Sequence, residues 1–165
     1  MRTSSTTSKS EKNQAGLPTE GIDAITLLTE DHENVKAMFE QYEGLSDRSR
    51  ASKKKLATQI CQELIRHTMI EEEIFYPAVR QAIKDDDMLD EAIVEHASAK
   101  DLINQILEME PAEDLYDAKV KVLQEMIEHH VEEEEKEMFE KARDSKLDLE
   151  ELGQQMFERK QEIVL

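Results

Sequence analysis

His67-Thr68-Met69-Ile70-Glu71-Glu72-Glu73-Ile74-Phe75-Tyr76-Pro77 is the stretch that decides the fold of this 165-residue chain. His67 and Glu71 stand at i and i+4, which on an α-helix places both side chains on one face, about one turn apart. His130-Val131-Glu132-Glu133-Glu134-Glu135, followed by Met138-Phe139, repeats the pattern. Upstream of each copy lies an acid–histidine pair, Asp31-His32 and Glu95-His96. His32 precedes His67 by 35 residues and His96 precedes His130 by 34. The chain therefore reads as two helical hairpins, each contributing the same set of polar side chains.

Outward from these residues the apolar positions advance by threes and fours, the spacing of a helix face turned toward a bundle core. The first seam is Ile25, Leu28, His32, Val35, Phe39, Tyr42, and the second is Leu56, Ile60, Leu64 (or Glu63), His67, Glu71, Ile74, Ala78. The third is Leu89, Ala92, His96, Ala99, Ile103, Ile106, and the fourth is Tyr116, Val120, Leu123, Ile127, His130, Glu134. Histidine interrupts every seam and glutamate interrupts two. Gly44 marks the end of a first helix from about Ile22. Ser46-Asp47 offers caps for a second helix over about 48–84, which Pro77 should kink or divide. Asp85-Asp86-Asp87 opens a third helix to about Met109. A fourth is expected over about 114–143 and a fifth over about 148–163.

Four glycines, three prolines and four phenylalanines among long runs of Glu, Lys, Leu, Ile, Met and Ala leave no alternating strand pattern. The expected class is all-α: an antiparallel up-down four-helix bundle over residues 21–145, an additional C-terminal helix over 146–165, and a disordered tail over 1–20. A formal charge of −18 argues against nucleic acid and anionic membranes as partners. The basic cluster Arg48, Arg50, Lys53, Lys54, Lys55 reads as a solvated helix face. Cys61 is the only cysteine, which leaves no disulfide framework and no thiolate metal site, and makes a reducing cytoplasm the simplest compartment. No apolar run approaches the ~20 residues needed to span a bilayer. Monomer and homodimer are both compatible with the pattern.

Four imidazoles and two carboxylates inside a bundle would be costly to bury unpaired, at roughly 2–7 kcal/mol for each polar group. A metal cluster turns that cost into an organising centre. Nitrogen and oxygen ligands without sulfur suit iron or manganese, with zinc as a substitute. The quoted strings resemble the H-x-x-x-E-E-x-x-[FL]-[FY]-P signature of the hemerythrin-like (HHE cation-binding) family, and Asp31-His32 and Glu95-His96 are similar to its lone histidines. The resemblance spans about Ile22 to Arg143. It implies two non-haem iron ions with a bridging oxo or hydroxo group, held by His32, His67, Glu71, His96, His130 and Glu134. By the family pattern Glu71 and Glu134 bridge. The pseudo-symmetry assigns His32 and His67 to one ion, and His96 and His130 to the other.

Oxygen-carrying members have a further histidine one turn after the third-helix histidine, where this chain has Lys100. With one imidazole fewer, one ion keeps an open position, which favours redox chemistry over simple reversible carriage. The resemblance thus implies a di-iron protein that binds or reacts with dioxygen or peroxide, including peroxide- or oxygen-dependent oxidoreductase activity. The alternatives are a sensor or iron-handling protein without turnover, and a metal-free structural bundle. His129 falls about 100° round the helix from His130 and is expected to lie outside the ligand set. Glu72, Glu73, Glu132, Glu133 and Glu135 read as solvated face, and Phe39, Phe75, Tyr76 and Phe139 as packing.

Overall fold

Asp23 starts the first helix: its Oδ1 accepts the Thr26 N–H at 2.7 Å, capping α1 (Ala24–Glu43). The computed structural model describes residues 22–165, so the tail expected over 1–20 lies outside the described residues. α2 runs without a break as Arg50–Ile70, a π-helical turn Glu71–Phe75, and Tyr76–Ile83. α3 is Asp86–Glu108, capped by Asp85 through the Met88 N–H. α4 is built like α2, as Tyr116–Glu133, a π-helical turn Glu134–Met138, and Phe139–Asp144. α5 (Leu149–Glu162) is capped by Asp148 through the Glu151 N–H. Among the described residues there is no strand, and α1 packs on α2, α2 on α3, α3 on α4 and α4 on α1. The protein is an all-helical bundle with an additional C-terminal helix.

Three local expectations are corrected. The cap position of α2 is Ser49 rather than Ser46 or Asp47, because 46–49 close a turn of their own through Ser49 N–H to Ser46 O. α4 starts at Tyr116 rather than near Asp114, because two successive turns bring the chain to Leu115 at φ 74° before the helix begins. Pro77 neither divides nor ends its helix. The irregularity lies just before it, where the Tyr76 N–H bonds Glu71 O, five residues back. α4 carries Glu140 at the corresponding place and still makes the same bond, from Phe139 N–H to Glu134 O. The proline is therefore not the cause of the irregularity.

The π turn adds one residue to the helical phase. Beyond Glu71 the expected inward residues were Ile74 and Ala78, whereas the buried ones are Phe75, Tyr76 and Val79. On α1 and α3, which have no such turn, every residue of the expected seam is buried.

The core divides into two apolar clusters. One packs Ile25, Leu28, Phe75, Val79, Leu89, Phe139 and Met156. The other packs Phe39, Leu56, Ile60, Ile103, Tyr116 and Leu123. The histidines and glutamates of the seams lie between them. Lys53, expected on a solvated face, is buried, because its ammonium pairs with Asp117 at 3.1 Å and lies over the Tyr42 ring. Cys61 is buried within the second cluster. α5 lies against α1 and α2 of its own bundle. Met156 is fully buried there, a contribution of about 1.5–3 kcal/mol. Gly153 crosses the start of α1 so closely that a Cβ would stand 2.7 Å from the Asp23 carbonyl carbon. No described helix is long and apolar enough to cross a membrane.

Candidate metal centre

The inward faces of four helices bring together all six residues singled out in the sequence. His32, His67, Glu71, His96, His130 and Glu134 are each buried, with Glu71 at 0% and Glu134 at 2% exposure. Their ligand atoms form two groups, His32–His67–Glu71–Glu134 and Glu71–His96–His130–Glu134, which share both carboxylates.

Within the first group the two Nε2 atoms stand 3.1 Å apart, with Glu134 Oε1 3.2 Å from His32 and Glu71 Oε1 in close contact with His67. Within the second, the Nε2 atoms of His96 and His130 are also 3.1 Å apart, with Glu71 Oε2 and Glu134 Oε2 each 3.2 Å away. Each carboxylate thus turns one oxygen to each group. His129, one residue away, is two-thirds exposed and pairs only with Glu133. It stands with Glu95 and Glu133 in a separate, more exposed cluster.

The far sides of the rings explain why these Nε2 atoms need a cation. His67 Nδ1 donates to Asp31 Oδ2 at 3.0 Å and His32 Nδ1 to Glu135 Oε1 at 3.0 Å. The Glu95 carboxylate lies 3.4 Å from His130 Nδ1, and Glu72 lies 3.8 Å from His96 Nδ1. At His67 and His32 the carboxylate hydrogen-bonded to Nδ1 holds the proton there and leaves Nε2 as the bare nitrogen, whereas the buried Nδ1 of His96 has no hydrogen-bond partner. The His32 and His67 lone pairs would then face one another at 3.1 Å, and face Glu134 Oε1 and Glu71 Oε1, with no hydrogen between them. Both Glu71 oxygens and Glu134 Oε1 make no hydrogen bond, although imidazole nitrogens are close by. These contacts are better read as donor atoms aimed at a common point than as hydrogen bonds. Such a set is stable only when positive charge enters it, as protons or as metal.

The titration behaviour of the metal-free site agrees. Burial pulls the His67 pKa down, but the Glu71 charge and the Asp31 hydrogen bond outweigh it and raise the value to about 10. At His130 burial is overcome by Glu134, and the value rises to about 9. Glu71 is held well below the usual carboxylate range: burial opposes this, and His67 and His96 overcome it. Glu134 is also lowered, with burial and the Glu71 charge outweighed by the His130 and His32 imidazoles beside it. Metal would have to displace the protons that the imidazoles otherwise hold.

Several residues at the centre carry roles not read from the sequence. Tyr76, expected only to pack, donates its hydroxyl to Glu134 Oε2 at 2.6 Å, with His96 Nε2 at 3.1 Å and His130 Nε2 at 3.3 Å. Burial and the two nearby carboxylates hold its phenol well above the ordinary range, so it remains a donor. Glu135 and Glu72, expected on a solvated face, stand behind His32 and His96. The repeat contains the signal for these acids: each is either the residue before a lone histidine or the residue after a motif glutamate. Lys100 pairs with Glu72 and so supports the residue behind His96, without joining either group.

Together the fold and site define a helical bundle with a buried cation-binding centre made of histidine and carboxylate. Residues 23–142 match the hemerythrin HHE cation-binding domain, and the chain belongs to that family. It is also similar to a crystal structure of a hemerythrin HHE cation-binding domain-containing protein from Mycobacterium kansasii. That likeness has a TM-score of 0.74 and 25% identity, and covers 86% of this chain and 87% of the other. No curated protein matches the sequence.

Proposed function

We propose that this is a non-haem di-iron protein that binds dioxygen or peroxide and reacts with it. The observation that carries this reading is the pair of four-residue groups sharing Glu71 and Glu134, each carboxylate with one oxygen toward either group. Glu71 and Glu134 could therefore each hold both ions, with two imidazoles completing the donor set of each group. His32 and His67 would hold one ion, and His96 and His130 the other. Two bound irons supply redox equivalents and a Lewis-acidic surface for a small oxygen ligand.

The remaining side chains set what can reach that surface. A cavity of about 20 Å³ lies directly against all four histidines, walled by Val35, Leu64, Ile127 and Val131. A water needs roughly 10–15 Å³, so this inner space is on the scale of one or two waters and fits a small ligand such as dioxygen or peroxide. A larger cleft of about 590 Å³ opens between α1 and α4 and shares His32, Ile127 and Val131 with the inner cavity. It would serve as the approach. Tyr76 holds a proton at its hydroxyl oxygen beside Glu134, and the apolar walls keep bulk water away.

The test is iron content per chain, measured on protein expressed without a metal-binding tag. About two irons per chain, with an absorption change on adding peroxide or oxygen to the reduced protein, is the expected result. No iron after anaerobic reconstitution with ferrous ion would show that the histidines and glutamates are satisfied by protons alone.

A further inference from the structure

We propose that the C-terminal helix is a working part of the metal centre, with Lys160 acting through Asp31 as a positioning residue for His67. The inference rests on the reading that His32 and His67 hold a metal ion. α5 lies beyond residues 23–142, the span matched to the family, so membership of the family assigns it no role.

The connection is short and largely buried. Lys160 Nζ stands 2.6 Å from Asp31 Oδ1, and the other oxygen of that carboxylate takes the His67 Nδ1 proton at 3.0 Å. Asp31 is 8% exposed, so its charge depends on these partners more than on water. The second carboxylate near the ammonium, Glu63, is farther away at 3.7 Å. α5 is held in place to make this contact by the buried Met156 and by the close crossing at Gly153. Asp31 therefore has one oxygen fixed by a cation and the other committed to the ring, which sets the ring's tautomer and aims Nε2 at Glu71.

The pseudo-symmetric half shows what the contact adds. There Glu95 stands behind His130 at a longer 3.4 Å, and among the described residues no lysine or arginine pairs with it. Loss of a group that orients a ligand typically weakens metal affinity by about 10–100-fold. Removing the Lys160 charge should therefore loosen one ion of the two.

A merely structural Lys160 would only fasten α5, and the molecule contains a control for that. Arg159, its neighbour, fastens the same helix to Glu73 at 2.7 Å without touching the centre. The experiment is an anaerobic cobalt(II) titration against a competing chelator, with the visible bands of bound cobalt followed in wild type, Lys160→Met, Lys160→Arg and Arg159→Ala. Expected are two ions in wild type, one of them bound about 10–100-fold more weakly in Lys160→Met, recovery in Lys160→Arg, and unchanged affinities in Arg159→Ala. Wild-type affinity for both ions in Lys160→Met overturns the proposal. So does equal weakening of both ions, or an equal effect of Arg159→Ala. Should Lys160→Met lose helicity, the His67 Nδ1 proton in metal-free Lys160→Gln supplies a second readout. Exchange with solvent faster than in wild type supports the connection, and an unchanged rate refutes it. A wild type that binds no metal would instead remove the functional reading on which this inference rests.

Discussion

Two adjacent histidines give the sharpest test of the centre, because they differ in almost nothing except helical phase. His130→Ala removes an Nε2 that lies 3.1 Å from His96 and 3.2 Å from Glu134, leaving three ligands in the second group. His129→Ala removes an imidazole that is two-thirds exposed and pairs only with Glu133. An ion kept at a thousandfold excess over its dissociation constant stabilises the fold by about 4.1 kcal/mol. At roughly 2–4 °C per kcal/mol for a chain of this size, losing that ion lowers the melting temperature by about 8–16 °C. An exposed ion pair is worth only about 0–1 kcal/mol, so His129→Ala should shift melting by no more than ~4 °C. The assay is elemental analysis after a chelator wash, together with calorimetry in the presence and absence of metal. His130→Ala should fall from about two ions per chain to about one, and most of its melting deficit should vanish when both proteins are compared metal-free. Equal metal loss in the two variants would show that the helix phase is wrong. Full retention in His130→Ala would show that this imidazole is not a ligand.

Three further outcomes follow from particular contacts. In the metal-free protein the His67 pKa is raised from 6.5 to about 10 and that of His130 to about 9. Their stabilisation is complete below about pH 6.5 and is lost as pH rises through the folded values. Melting of the metal-free form should therefore fall between neutral pH and about pH 10, while the loaded form, with its imidazoles already deprotonated, should show little slope there; parallel slopes would contradict this origin. Gly153→Ala forces a methyl against the backbone of Asp23 and Ala24 and should cost about 1–3 kcal/mol, seen as a lower melting temperature and faster proteolysis of α5; an unchanged melt would mean the helix can lift without loss. Tyr76→Phe keeps the buried ring and deletes the hydrogen bond to Glu134, at about 1.5–3 kcal/mol; a denaturant midpoint equal to wild type would show that another donor, such as water, replaces it.

The seams of α1 and α3 were legible because nothing interrupts their α-helical period, and all twelve of their expected positions are buried. The six candidate ligands were legible for a related reason. Each lies on an inward face before any change of phase, and a polar residue repeated at matching places in four seams is hard to explain by packing. What followed Glu71 was not legible, because a π turn is set by which carbonyl a backbone N–H chooses, and side-chain periodicity does not encode that choice. Phe75-Tyr76 and Met138-Phe139, two large buried residues side by side, are the trace it leaves. The acids behind the histidines were hidden differently: Glu72 and Glu135 stand in runs of glutamates whose neighbours do face water. Lys160 was invisible, since no register in the sequence relates α5 to α1.

The two π turns explain how a symmetric ligand set acquires unequal surroundings. Each turn carries the residue five positions beyond the motif glutamate onto the face that looks at the centre. In α2 that residue is Tyr76, whose ring lies 5.2 Å from the His96 ring. In α4 it is Phe139, stacked at 5.8 Å and 1° on His32. One backbone device thus delivers a phenol to the His96–His130 side and a bare phenyl to the His32–His67 side. The latter side instead receives Lys160 through Asp31, and the cleft between α1 and α4 opens beside it at His32. A small ligand arriving by that cleft meets the side without the hydroxyl. Glu134 joins the two, with Oε2 accepting from Tyr76 and Oε1 turned to His32. A change at the Tyr76 hydroxyl therefore alters the carboxylate that both groups share. The hydroxyl thus reaches the cleft side through Glu134, although no atom of Tyr76 is in the His32–His67 group.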